Sequence, residues 1–164
     1  MKSSLTGRLT AWILAWLLVV PALAAEPQLA AATSFAADAQ VARARKIPIL
    51  VLYSRPGCRW CELARNDYLI PLSQDPAFAG RVLIRQVHID DTPTALVDFD
   101  GSSTSHGAFA RARRISLAPT LDFLDDSGKP LVEAIVGMRL PDYYGATIER
   151  AIEQSLAKLR GETK

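Results

Sequence analysis

The chain has 164 residues, 49% hydrophobic and 22% charged, one domain's worth of an ordinary globular core. Nineteen Lys and Arg stand against seventeen Asp and Glu, and two of the cations, Lys2 and Arg8, fall in the first 24 residues. Without those two the charges balance at seventeen each, so composition gives no basis for binding nucleic acid or an acidic lipid surface.

Residues 1–24 read as a targeting segment. Lys2 and Arg8 form a basic start, Leu9 to Val20 is apolar, Pro21 breaks the run, and Ala22-Leu23-Ala24 supplies the small residues that a signal peptidase reads. The apolar run falls short of the ~20 residues that span a bilayer. Export with cleavage after Ala24 is the expectation; an uncleaved anchor is the alternative, and would be the chain's one link to a membrane.

Residues 25–32 read as a flexible leader, which leaves 33–164 as the folded domain. Thr33 or Ser34 caps a helix running to about Arg45, with Phe35, Ala39 and Ala42 on one face. Ile49-Leu50-Val51-Leu52-Tyr53 is a continuous apolar run rich in branched residues, the pattern of a strand buried on both faces. Pro56-Gly57 turns the chain into a helix from Cys58 that carries Leu63, Tyr68 and Leu69, and Pro71 is expected to kink or end it. Asp75-Pro76 suggests a short capped turn to Ala79. Val82 to Asp90 is a second strand, Thr92 to Ser105 reads as the least structured part, and Ala108 to Arg114 as a short helix. Arg111, Arg113 and Arg114 suit the end of that helix, where cations complement the dipole. Leu121 to Leu124 is a third strand, Asp126-Ser127-Gly128-Lys129 has hairpin-turn composition, and Leu131 to Val136 returns as far as Gly137. Pro141 starts a final helix with Ile148, Ile152, Leu156 and Leu159 on one face. Strands separated by helices point to an α/β protein: a parallel βαβ unit, with the closing hairpin as an antiparallel edge.

Cys58 and Cys61, the chain's only cysteines, are three apart. One can attack a disulfide while the other waits to resolve the mixed intermediate. A structural bridge stabilises by closing a long loop, and a two-residue spacer closes almost none. The pair falls at the C-terminal end of the first strand, where α/β sheets place their ligand sites. Cys58 opens a helix, whose free N–H groups and dipole favour a negative sulfur, and Arg55 and Arg59 flank it. Cys58 is therefore the expected nucleophile, and Cys61, one turn in, the buried resolving thiol. His88 and His106 offer further metal donors, but their spacings match no zinc module, so no metal is expected and a metal-binding CxxC module is the lesser alternative.

The strand Ile49 to Tyr53, the cysteine pair opening a helix, Ala118-Pro119-Thr120 before a strand, and Gly137 before the last helix together resemble the thioredoxin superfamily over about Thr33 to Leu159. In detail, with the leading helix ending at Lys46-Ile47-Pro48, the chain looks like exported thioredoxin-like proteins, including the C-terminal domain of the transmembrane disulfide-reductant carrier. The resemblance implies a thioredoxin fold with an extra N-terminal helix and a central mixed sheet. It implies a periplasmic thiol–disulfide oxidoreductase that exchanges electrons with protein disulfides and with a protein donor or acceptor. It implies action as a monomer and without an organic cofactor, the Cys58–Cys61 pair carrying the electrons. Pro119 is implied to be a cis-proline facing the disulfide, leaving the Ala118 backbone to pair with a substrate strand. Trp60 is expected either to stack on that strand or to cover the motif.

Departures from thioredoxin itself are plain. Its buried Asp and neighbouring Lys correspond to Leu52 and Gln86, the tryptophan before the first cysteine to Gly57, and the Gly-Pro spacer to Arg59-Trp60. Glu62 is the nearest acid in sequence and the remaining candidate to tune the pair. Tyr53 to Cys58 is also similar to glutaredoxins, but Ala118-Pro119-Thr120 and the leading helix favour the thioredoxin side.

Overall fold

The computed structural model describes residues 27–162. Residues 1–24, read above as a targeting segment, lie outside the described residues, as does the expected cleavage point.

Helix α1 spans Phe35–Arg45, and Ser34 caps it by accepting from the Ala37 N–H at 3.2 Å. Lys46 ends the helix in the left-handed conformation and leads into strand β1, Ile49–Ser54, in which all six residues are buried. After the cysteine turn the chain is helical from Arg59 to Gln74 in three registers: α2 (Arg59–Leu63), a π-helical segment (Ala64–Leu69) and α3 (Ile70–Gln74). Pro71 does not end the helix. The Ile70 N–H donates to Arg65 O, five residues back, so the π turn absorbs the change of register that the proline ring imposes.

Strand β2 (Leu83–His88) pairs parallel with β1, Leu52 opposite Gln86 and Ser54 opposite His88. β5 (Thr120–Leu124) lies on the other side of β1 and runs antiparallel to it, and β6 (Ile135–Val136) closes the order β2-β1-β5-β6. The segment between β2 and β5 ends in a seven-residue helix, α4 (His106–Ala112), which rises about 10 Å. That is too little to carry the chain back along the sheet, so it enters β5 near the end where it left β2.

Two apolar layers flank the sheet. On one face Leu50, Leu52, Leu121 and Phe123 meet Ala64 and Leu69 and the long helix α5 (Pro141–Arg160) through Ile148, Ile152 and Leu156. On the other, Ile49, Val51, Tyr53 and Val87 meet Phe35 and Ala42 of α1 and Phe109 of α4.

Several expectations change. The leader 25–32 is part of the fold in its second half: Ala32 N–H donates to Gln86 O and Gln86 N–H to Ala30 O, both at 2.9 Å, and Ala32 is wholly buried. An open β2 edge is what captures it. Thr92 to Ser105 contains an antiparallel ribbon, β3 (Ala95–Val97) with β4 (Ser103–Ser105), where structure was least expected. Phe99, at its tip, stacks on Phe35 with ring centroids 4.9 Å apart. α4 starts two residues early because Ser105 accepts from the Ala108 N–H. The returning strand reduces to the Leu124–Pro130 bridge and two-residue β6.

Candidate active site

Pro56-Gly57 turns the chain off β1, with Gly57 at φ +69°, a conformation that costs glycine nothing. Cys58 then caps α2. Its sulfur accepts from the Cys61 N–H at 3.1 Å, and its carbonyl receives the Cys61 and Glu62 N–H groups at 3.0 and 3.1 Å. Cys58 and Cys61 form a disulfide with Cα atoms 5.2 Å apart. Cys58 is half-buried and Cys61 is 1% exposed, the asymmetry expected of an attacking and a resolving sulfur.

The Ala118–Pro119 peptide is cis, and the Ala118 carbonyl oxygen lies 3.8 Å from Cys58 Sγ. Gly137 N–H donates to Pro119 O at 2.8 Å, which ties the end of β6 to this turn. Trp60 (46% exposed), Leu117 (61%), Leu140 (66%) and Tyr143 (67%) are exposed large apolar side chains. Leu140 and Tyr143 line a cavity of about 480 Å³ with Val136, Gly137 and Arg139.

The flanking charges each have a partner or an exposed position of their own. Arg55 holds its Nε 3.3 Å from Asp90 Oδ2 and donates from Nη2 to Ser116 O at 3.4 Å. It braces the loop before Ala118. Arg59 lies over the Trp60 ring, 5.7 Å from its centroid, and Glu62 is exposed on the outer side of the helix. The Cys61 N–H donates to Cys58 Sγ from the first turn, where the helix terminus favours negative charge.

Beneath the helix the structure assembles a polar group that sequence reasoning missed. Ser54, 1% exposed, is bonded by Gln86 Nε2 at 2.8 Å and faces His88 Nδ1 at 3.2 Å. The available signal was a serine ending an apolar run and a Gln within a strand. His106, which follows the Thr92 to Ser105 segment, is wholly buried. Its Nε2–H donates to Ala32 O at 2.7 Å and its Nδ1 accepts from the His88 N–H at 3.1 Å, so the main chain uses both ring nitrogens.

No family model and no curated protein matches the chain. Among solved structures it is similar to the thioredoxin of Fasciola hepatica, at 14% identity and TM-score 0.52, covering 77% of this chain and 99% of that one. It is also similar to thioredoxin O2 from Arabidopsis thaliana in the oxidized state, at 19% identity and TM-score 0.50, covering 77% and 96%. A thioredoxin from Malassezia sympodialis gives 16% identity and TM-score 0.50 over 79% and 95%. The chain is an α/β protein with a CxxC disulfide at the end of its first strand. Its fold is the thioredoxin fold.

Proposed function

We propose that the chain is a thioredoxin-like thiol–disulfide oxidoreductase working through Cys58 and Cys61. The observation that carries this is the joint placement of a helix-capping Cys58, a buried Cys61 and the cis Ala118–Pro119 turn against the same sulfur. As a thiolate, Cys58 attacks a substrate disulfide and expels one substrate sulfur. Cys61 then attacks Cys58 and releases the other substrate sulfur, leaving the bridge between the two cysteines. The thioredoxin fold supports this reading. The substrates are other exported proteins and the compartment is the periplasm, on the strength of residues 1–24 and of the likeness to the reductant carrier's C-terminal domain. Ala118 and Pro119 bind the substrate strand with Trp60 against it, and the chain works as a monomer without organic cofactor or metal.

Reduction of substrates is the favoured direction. A Cys58 thiolate stabilised by the Cys61 N–H at 3.1 Å supports the opposite, oxidase or isomerase, reading, since a stabilised dithiol makes the disulfide more oxidising. The test is the reduction potential together with reduction of insulin disulfides. The reductant reading expects a value below about −200 mV, and a value near about −120 mV assigns the oxidase. No exchange with any model disulfide would overturn the enzyme itself.

A further inference from the structure

The described structure gathers polar side chains at a place that neither Cys58 nor Cys61 lines. A cavity of about 660 Å³ opens between the leader before α1, the end of β2 and the π-helical segment. That volume falls within the roughly 300–1,000 Å³ of small-molecule sites. Its walls are held in place. The main chain of Ala30 and Ala32 pairs with that of Gln86, and Gln86 Nε2 donates to Ser54 Oγ at 2.8 Å. Leu29 and Ile70 add apolar surface.

The polar lining has one sign. Arg65, Asn66, Gln86 and His88 face the cavity, and among the described residues no Asp or Glu lines it. Arg65 is half-buried and, among the described residues, is in no ion pair. Its Nε donates to Asn66 Oδ1 at 3.2 Å, which leaves its Nη1 and Nη2 hydrogens and the Asn66 Nδ2 hydrogens to donate. A half-buried guanidinium beside an imidazole, with no counter-charge, is a setting that an anion improves. The planar guanidinium matches a carboxylate, and apolar walls would leave the further oxygens of a phosphate without donors. From this we infer that the cavity binds a small organic carboxylate, its oxygens held by Arg65 and Asn66 with His88 beside them and its hydrocarbon part covered by Leu29 and Ile70. The inference does not depend on the redox reading above.

His88 makes the binding pH-dependent. Burial, with His106 of α4 and Arg65 of the π segment, lowers the imidazole below its ordinary 6.5, and Asp91, which accepts from Thr94, opposes them. A bound carboxylate favours the imidazolium. Binding therefore strengthens as the pH falls from about 8 to about 6, and by reciprocity the bound carboxylate moves the titration of His88 upward.

Butyrate is the probe, and butyramide, the same tail without the charge, is its control. Followed by the His88 ring resonances in NMR, butyrate is expected to give a saturable shift at about millimolar concentration, and butyramide none. His106, whose two ring nitrogens are taken by the main chain, serves as the reference that does not move. Arg65→Gln is expected to weaken butyrate binding about tenfold, the worth of one hydrogen bond to a charged group, and Arg65→Lys to recover part of it. Should Arg65→Gln lose its fold by circular dichroism, Asn66→Asp at the exposed rim takes its place and is expected to weaken binding by like charge. No saturable shift at His88, equal binding of butyramide, or full affinity in the variant that is read overturns the inference. Glu26, which precedes Pro27 in the chain, is a carboxylate of the chain's own. Glu26→Gln is expected to leave butyrate binding unchanged, and a gain of about tenfold would make Glu26 the occupant and overturn a site for a free ligand. These readings hold whether or not the chain exchanges disulfides, so failure of the enzyme reading is recognised separately, by the insulin assay.

Discussion

Cys58 is set apart by its position. As the residue that caps α2 it receives the Cys61 N–H on its sulfur, whereas Arg55 and Arg59, adjacent in sequence, are drawn to Asp90 and to the Trp60 ring. Sequence adjacency to a cysteine says little about where a long side chain ends, because Arg buries its stem and seeks whatever acceptor is near. The difference in burial between the two sulfurs was legible, since one turn of helix separates an exposed first turn from its buried face. It leads to a clear trap. Cys61→Ser is expected to accumulate a near-stoichiometric mixed disulfide with a peptide disulfide, and Cys58→Ser none, read by mass spectrometry without reductant. Mixed disulfide on Cys61 in the Cys58→Ser protein at a comparable rate would reverse the assignment.

At the scale of elements, the β3–β4 ribbon shows why a polar segment can be structured. Its strands, Ala-Leu-Val and Ser-Thr-Ser, are three residues each and too short for alternation to give a signal, yet Phe99 at its tip stacks on Phe35 and closes the apolar layer over α1. The same ring is packed against the hairpin turn after β5. Gly128 has φ +79°, and a Cβ there would sit 2.7 Å from Phe99 Cδ2. Gly128→Ala is therefore expected to cost about 1–3 kcal/mol in urea denaturation, from backbone strain and overpacking together. In a Phe99→Ala background the packing part of that cost is expected to vanish, making the two substitutions non-additive. Equal costs in both backgrounds would leave backbone strain alone. The Ala30–Ala32 edge was hidden for a similar reason: three alanines carry no strand pattern, and only the free β2 edge recruits them.

For the whole molecule, charge is placed so that acid removes stability in two stages. His88 is held below its ordinary 6.5 chiefly by burial, so the unfolded chain binds the proton first. Its contribution is complete above pH 6.5 and is lost as the pH falls below that value. Asp125 accepts from Ser127 and Lys129 and is held below its ordinary 3.8, so its contribution survives to lower pH and is lost beneath that value. Urea midpoints measured from pH 8 to pH 3 are expected to be flat above about 7, to decline below 6.5 and to fall further below 3.8. His88→Gln is expected to remove the first decline only, and a first decline that persists in it would assign that step to another group. The sequence alone determined the closely spaced Cys58–Cys61 pair, the two-faced burial of β1, the capped helices and the turn before Thr120, because each is written within a few consecutive residues. It therefore also carried the CxxC chemistry that the proposed function uses. Only the tertiary structure decided the antiparallel placement of β5, the capture of the Ala30–Ala32 edge and the Ser54–Gln86–His88 group beneath the CxxC helix. Those depend on which strand lies beside which, and register between segments tens of residues apart is set by packing that no local pattern encodes.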